Sequence, residues 1–305
     1  MTSYIIQRLL MAIVTLFGVS IVVFGLVQLL PGDPGRVIAG PNASQAEVER
    51  LRERMGLDEP LGVQYGVFVG NLTRGDLGTS ARTQRPVATE IMARLPATLQ
   101  LAAVATVAGT AVGMLFGIAA ARWRGSWVDT TLSVISVAGL SMPVYWLGML
   151  LIALFAVNLG WFPVAGAARP TSIVLPALTL TAFSMALIAR MTRSSMFEVL
   201  EADYVRTARA KGVNERRVVY KHALRNGFIP ILTIIGIQFG NLLGGAVLTE
   251  SVFGWPGTGR LLVDSIASRD FPVVQGVIVV YALLFILVNL AVDVMYAWVN
   301  PKIQY

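Results

Sequence analysis

The chain has 305 residues, of which 55% are hydrophobic and 13% charged, with a mean hydropathy of +0.69. A soluble domain carries about 25% charged residues, so this composition excludes an ordinary soluble globule and points to a polytopic membrane protein. The net charge of +7 is assigned to basic loops that orient apolar spans rather than to nucleic acid, and the absence of cysteine removes disulfides and thiolate chemistry.

About 20 apolar residues cross a bilayer core. Residues 9–30 carry no charge and are preceded by one basic residue, Arg8. The stretch is long for a signal peptide, so it is predicted to be an uncleaved first span. Residues 31–94 then read as a small helical extracytoplasmic insertion. Ser44-Gln-Ala-Glu47 is a capping box and Gly56 ends the helix that follows. Pro60 opens a second helix through Gln64, Tyr65 and Phe68, and Gly75-Asp-Leu-Gly78 is a turn. Pro86 opens a third helix, with Val87, Ile91 and Leu95 on one face, that feeds into the second span. The insertion is expected to lie as a cap on the outer face. Further uncharged stretches at 95–121, 131–158, 171–189, 228–249 and 271–292 bring the expected spans to six.

Two spans carry glycine at every fourth position: Gly109, Gly113 and Gly117 in the second, and Gly236, Gly240 and Gly244 in the fifth. That spacing makes a smooth face where backbones approach closely, read here as helix packing. Polar groups at depth are few. Gln100, Gln238, Asn241 and Asn289 lie within spans, Glu250 ends the fifth and Asp293 the sixth. Each is expensive in hydrocarbon and therefore a functional candidate, with interhelical hydrogen bonding as the competing role. Gln238 and Asn241 are three apart, share a helix face, and are expected to line a pathway together with Glu250 and Asn289.

Between the fourth and fifth spans lies a dense basic segment, residues 204–230, with Arg206, Arg209, Lys211, Arg216, Arg217, Lys221 and Arg225. Such charge belongs on a membrane surface. It reads as two short helices: one stopped at Gly212, the next opening after Asn214 and ending at Asn226-Gly227. A helix–turn–helix there is a docking surface for a soluble partner. The basic residues also set the orientation. With both termini cytoplasmic, only Arg169, Arg260 and Arg269 lie outside, apart from those of the long insertion, which crosses regardless of charge.

Catalytic signatures are absent. No Gly-x-x-x-x-Gly-Lys-Ser/Thr loop occurs, so ATP hydrolysis by that route is excluded. Gly257-Thr-Gly259 lacks the third glycine of a dinucleotide fingerprint, and the single histidine, His222, cannot build a His-based metal site alone. A self-sufficient secondary transporter would want charge at mid-span, and an intramembrane hydrolase paired acids at depth; the spans offer neither.

The basic segment and its flanks resemble the permease subunits of ABC importers, in particular the dipeptide/oligopeptide and nickel group. Aligned on Gly212, the general permease signature (Glu-Ala-Ala, three residues, Gly, nine residues, Ile-x-Leu-Pro) meets Ala208 and Leu224, while Arg206, Thr207, His222 and Arg225 depart from it. The departures match the peptide-permease variant, here Asp203-Tyr-Val-Arg-Thr-Ala-Arg-Ala-Lys-Gly212. Further points of resemblance are Leu29-Leu-Pro-Gly-Asp-Pro34, Gly75-Asp-Leu-Gly78, Arg94-Leu-Pro-Ala-Thr-Leu99, His222-Ala-Leu-Arg-Asn226, Thr249-Glu-Ser-Val-Phe253 and Pro256-Gly-Thr-Gly259.

The resemblance implies an all-α, six-helix type I importer permease in the plasma membrane, with the first transmembrane helix in residues 1–30, the insertion at 31–94, a core at 95–298 that contains a coupling loop at 194–226, and a cytoplasmic tail at 299–305. It implies a non-enzymatic transport subunit for dipeptides or short oligopeptides, with nickel chelates or glutathione as the alternative cargo. The implied partners are a second homologous permease, two cytoplasmic ATPases that hold ATP and magnesium, and an extracytoplasmic binding protein; no cofactor or metal is expected on this chain. Tyr204, Arg206, Thr207, Ala208, Lys211, Gly212, His222 and Leu224 would form the contact with the ATPase.

Overall fold

The structure is a computed structural model that describes residues 2–29, 34–39 and 43–299. Leu30 of the first expected span, residues 31–33 of the Leu29-to-Pro34 motif and residues 300–305 of the tail lie outside the described residues. The described chain is helical, with one isolated bridge between Thr79 and Pro86. In order come α1 (Thr2–Leu29), α2 (Pro34–Ala39), α3 (Gln45–Met55), α4 (Leu61–Thr73), α5 (Val87–Arg122), α6 (Trp127–Ser141) and α7 (Val144–Leu151), continued by a π-helix at Ile152–Asn158. A 3-10 turn at Pro170–Ile173 leads into α8 (Val174–Leu200), followed by α9 (Asp203–Ala210) and α10 (Glu215–Arg217). A π-helical stretch at Val218–Ala223 joins α10 to α11 (Leu224–Val252), and α12 (Thr258–Ala267) and α13 (Phe271–Val299) complete the chain.

Local chemistry sets the boundaries in the insertion. Ser44 Oγ accepts the Glu47 N–H while the Glu47 carboxylate accepts the Ser44 N–H at 2.8 Å. The Ser44 N–H, and the Ser44 hydroxyl, which also donates to that carboxylate at 2.8 Å, hold the Glu47 carboxyl below its ordinary pKa. Gly56 takes φ 61° to close α3, and Pro60 sits at the N-cap of α4, as expected. The α5 helix runs unbroken from the insertion into the second span, with Pro96 inside it.

Among the described residues five helices are long and apolar enough to cross a bilayer: Ile6–Gln28, Val87–Arg122, Pro170–Leu200, Glu215–Gly244 and Phe271–Met295. The expected third span, 131–158, is not one straight helix. It is α6 and α7 bent by 104° at Met142-Pro143, and counts as the sixth span if the pair is taken as one. Proline has no N–H and pushes the residue before it out of the helical region; Met142 accordingly sits at φ −85°, ψ 129°. The expected helix end at Asn226-Gly227 is also absent. The chain passes through the π-helical stretch straight into α11, and Pro230 removes one backbone bond there without ending the helix.

The chain forms two compact units, Met1–Thr98 with Pro256–Ile286, and Leu99–Trp255 with Leu287–Tyr305. The first has a core of Val87, Ile91, Val273 and Val277, with Leu77, Leu261 and Tyr281 packed against it. Two motifs distant in sequence meet there. Buried Thr98 of the Arg94–Leu99 motif accepts the Thr258 N–H at 2.8 Å, and the two hydroxyls lie 2.9 Å apart. Asp270, just before α13, accepts from the Ser80 hydroxyl and from the N–H groups of Ala81 (3.0 Å) and Arg82 (3.3 Å).

In the second unit α8 is central, flanked by α6, α7 and α11. Most of its buried hydroxyls find helix carbonyls, as Thr179 does at Leu175 O (2.9 Å) and Ser195 at Gly227 O (2.8 Å), which offsets their cost in an apolar interior, whereas Thr192 Oγ1 has no hydrogen-bond partner among the described residues. One buried carboxylate, Asp129 near the start of α6, is met by Arg193 of α8 through two bonds of 2.7 and 2.9 Å and by the Gly125 N–H at 3.1 Å.

Candidate functional site

The basic segment folds into a hook built from the end of α8, α9, α10 and the π-helical stretch. Its inner side is apolar. Val205, Val218, Val219 and Ala223 are buried, and Val219 and Ala223 cluster with Ile118 and Ala121 of α5 and Met196 of α8. The turn is made by Gly212 at φ 73°, with its N–H donated to Arg209 O at 2.9 Å and the Val213 N–H to Ala208 O at 3.2 Å. Asn214 caps the next helix by accepting the Arg216 N–H at 2.9 Å. Arg209 clamps the two arms. Its Nε and Nη2 donate to the two carboxylate oxygens of Glu215 at 3.1 and 2.9 Å, which raises the Arg209 pKa above its ordinary value. The Asn226 amide donates to the Tyr204 hydroxyl at 3.1 Å, tying α9 to the start of α11.

With one face buried, the hook presents the other. Tyr204, Arg206, Thr207, Lys211 and Gly212 are exposed, as are Arg216, Arg217, Tyr220 and Lys221; Ala208, His222 and Leu224 are half-buried. The residues expected to contact an ATPase therefore divide into an outward cationic set and three partly covered supports. Sequence reasoning missed the supports beneath: Val205, Val218 and Val219, the Arg209–Glu215 clamp, and Arg124, whose guanidinium lies 3.6 Å from the Phe197 ring centroid and 3.3 Å from Glu201. The 13-residue offset between Val205 and Val218 carries no periodic signal, because the turn at Gly212 intervenes.

The expected pathway residues behave differently. Gln238 and Asn241 do meet, with the Asn241 amide donating to Gln238 Oε1 at 3.2 Å. The polar face expected to be open is half closed, however: Asn241 is exposed, while Gln238 is 1% exposed and its Nε2 has no hydrogen-bond partner among the described residues. Glu250 is wholly buried and Asn289 half-buried. Gln100 is exposed, and Asp293 is buried.

The glycine seam of α5 is a close approach to α8. A Cβ at Gly113 would sit 2.8 Å from Met185 O, one at Gly117 would sit 2.6 Å from Ala189 O, and one at Gly109 would strike the Ser184 side chain. In α11 the seam is partial. A Cβ at Gly236 would strike Val292, Gly240 is buried, and a Cβ at Gly244 would meet nothing within 4 Å among the described residues, so no packing role for Gly244 is seen there. Unexpected close approaches include Gly139 on α6, where a Cβ would lie 2.9 Å from Ala182 O, Gly276 on α13, where a Cβ would lie 2.6 Å from Val87 Cγ1, and Gly227, whose carbonyl accepts the Ser195 hydroxyl at 2.8 Å.

Comparison with known proteins gives matches along nearly the whole chain. Residues 113–305 match the family described as binding-protein-dependent transport system inner membrane component, and residues 1–102 match the N-terminal family of the same membrane components. The chain is 52% identical over 305 residues, the full length of both, to the glutathione transport system permease protein GsiC of Escherichia coli O6:H1 (strain CFT073). Proteins of the same name from Escherichia coli strain K12 and Shigella flexneri serotype 5b are 51% identical over the same full length. Among solved structures, the inward-facing MetNI methionine ABC transporter is similar with TM-score 0.60 at 22% identity, covering 69% of this chain and 96% of that one. An amino acid ABC transporter with histidines is similar with TM-score 0.54 at 17% identity, covering 69% and 94%. At these identities the structural likeness concerns the fold.

Proposed function

The chain belongs to the binding-protein-dependent transport system inner-membrane components, the permease subunits of ABC importers, and on that premise we propose that it carries short peptides of the glutathione class, driven through its basic hook. It is a transport subunit of the inner membrane rather than an enzyme, and it works with ATPase and binding-protein partners. The finer reading adds a second homologous permease, two ATPases that hold ATP and magnesium, and cytoplasmic termini.

The full-length identity of 51–52% to permeases named for glutathione transport carries the cargo assignment. Glutathione bears two carboxylates and one ammonium, so a pathway with a strong fixed charge would hold one end and reject the other. The exposed Asn241 amide, which both donates and accepts, suits such a cargo. The experiment is uptake into proteoliposomes that hold the complete complex with ATP on the ATPase side and the binding protein on the other. Labelled glutathione should accumulate with ATP and not without it, while a dipeptide and a nickel chelate compete weakly. Accumulation of the dipeptide or the chelate in place of glutathione would overturn the cargo assignment.

In the same assay Asn241→Leu should lower uptake several-fold while ATPase activity and assembly persist, and Asn241→Asp should disfavour the net-negative cargo further. Wild-type uptake by both variants would mean that Asn241 only packs.

The orientation is testable because the native chain has no cysteine. A membrane-impermeant maleimide should label Glu49→Cys in intact cells and reach Lys221→Cys only after permeabilisation. Both positions are exposed, so failure to label reports sidedness rather than burial. The opposite pattern would invert the proposed topology.

A further inference from the structure

We propose that α4 is a re-entrant helix whose exposed face lies against lipid acyl chains, rather than part of a water-facing cap. The proposal rests on the membrane reading above, with the outer leaflet as the one involved.

The first observation is where α4 lies along α1. Gln28 donates to Gln64 Oε1 at 3.1 Å, Phe24 packs on Tyr65 and Phe68 with ring centroids 5.4 and 5.8 Å away, and Ser20 Oγ is 2.8 Å from the Tyr65 hydroxyl. Phe17 meets the edge of the Tyr65 ring at 6.2 Å. Phe17 is the middle residue of the Ile6–Gln28 span. At 1.5 Å per residue it lies about 16 Å along the helix from Gln28, roughly half of a core about 30 Å thick. If α1 spans the bilayer, α4 cannot stand outside it. An apolar groove beside the pair, lined by Ile13, Leu16, Val69, Leu72, Ile91 and Val280, continues to the same depth.

The second observation is composition. Residues 61–73 contain no Asp, Glu, Lys or Arg, whereas Asp58 and Glu59 precede them and Arg74 and Asp76 follow. Leu61, Val63 and Val67 are 60%, 50% and 57% exposed, and no residue of α4 is buried. In water such a face is a liability; in hydrocarbon it is the ordinary outer surface of a helix. It is also continuous with the exposed apolar face of α1, at Ile13, Val14 and Val22.

The third observation is length. Thirteen residues make a helix about 20 Å long, too short to cross, and the chain returns to the side from which it entered. Gln64 is bonded at the Gln28 end of α1, and beyond α4 the chain reaches Ser80, bonded to Asp270 at the start of α13. A Cβ at Gly62, Gly66 or Gly70 would meet nothing within 4 Å among the described residues, so a second helix is the rival occupant.

The experiment labels Val67→Cys with bimane in the complete complex in liposomes, with Val14→Cys as the membrane reference and Glu49→Cys as the aqueous one. Quenching is measured with lipids carrying doxyl on the acyl chain and with aqueous iodide. The Val67 label should be quenched by doxyl lipid as strongly as the Val14 label, with an iodide quenching constant several-fold below that of the Glu49 label. Iodide quenching equal to that at Glu49 overturns the proposal in favour of a water-facing cap. Protection from both quenchers overturns it in favour of a protein helix on the glycine face. If the Val14 label is itself quenched by iodide and not by lipid, the membrane placement of α1 fails as well, which separates the two readings.

Discussion

A Gly117→Leu variant is expected to be the most damaging single change in the transmembrane region. The obstacle is backbone as well as side chain. A Cβ there would lie 2.6 Å from the Ala189 carbonyl oxygen and would also strike the Thr192 side chain. Neither a carbonyl in α8 nor a β-branched residue on it can swing aside, so α5 and α8 must part. Overpacking costs about 1–3 kcal/mol where neighbours relax, and a larger penalty follows where a helix backbone must move. The loss also spreads, because α8 is the helix on which α6, α7 and α11 pack. Thermal unfolding of the purified chain in detergent should show a clearly lowered midpoint. Gly244→Leu is the matched control, since a side chain there has open space within this chain. Equal midpoints for the two variants would mean that the α5–α8 approach is not as close as described.

Replacing Gly212 by valine should leave stability almost untouched and abolish coupling. Nothing lies within 4 Å of a Cβ at Gly212, so space is not the issue; φ of 73° is. A β-branched residue in the left-handed region costs about 1–3 kcal/mol, enough to reshape an exposed turn. The turn sets the angle between α9 and α10 and so the reach of the Arg209–Glu215 clamp. Transport and substrate-stimulated ATPase activity should both fall by an order of magnitude or more, with the unfolding midpoint near that of the wild type. Gly212→Asn should retain most activity, because asparagine tolerates this conformation. If valine and asparagine behave alike, the geometry of the turn does not matter for coupling.

What the sequence made legible is what local chemistry decides. The Ser44–Glu47 cap, the Gly56 and Gly212 stops, the Pro60 and Pro86 starts and the Asn214 cap each involve residues within one turn of one another. The α5 glycine face was visible because a four-residue period places the three glycines on one side of the helix. What tertiary contact decides was hidden. Gly227 stops nothing because its carbonyl accepts from Ser195, 32 residues away, and the helix continues through it. Gly236 and Gly244 belong to one four-residue series, yet among the described residues a Cβ at the first would strike Val292 of α13 and a Cβ at the second would meet nothing within 4 Å. Pro143 was legible in principle; its effect is lost when a span is read by hydropathy alone. The place of α4 depends on aromatic pairs that join Phe17 and Phe24 to Tyr65, more than 40 residues on, and no spacing rule reports such a pairing.

The candidate site divides along the same line. The cationic outer face of the hook was readable as charge that hydrocarbon excludes. The apolar floor that holds it against α5 and α8 was not, since its valines are scattered across a turn. For the pathway, residue type was a fair guide to cost but not to exposure. Gln238 and Asn241 share a face as spacing requires, yet one is covered and the other open.

The central claim is that the outward face of the hook is where the ATPase engages this chain. A photo-crosslinking amino acid introduced at Arg206, which is exposed and forms a loose 3.7 Å ion pair with Asp203 on the same helix, tests it without disturbing the floor beneath. Irradiation of membranes containing the complete complex should give a product of this chain with the ATPase subunit. A product with the binding protein instead, or none at all when the ATPase is present in the same membranes, would contradict the account.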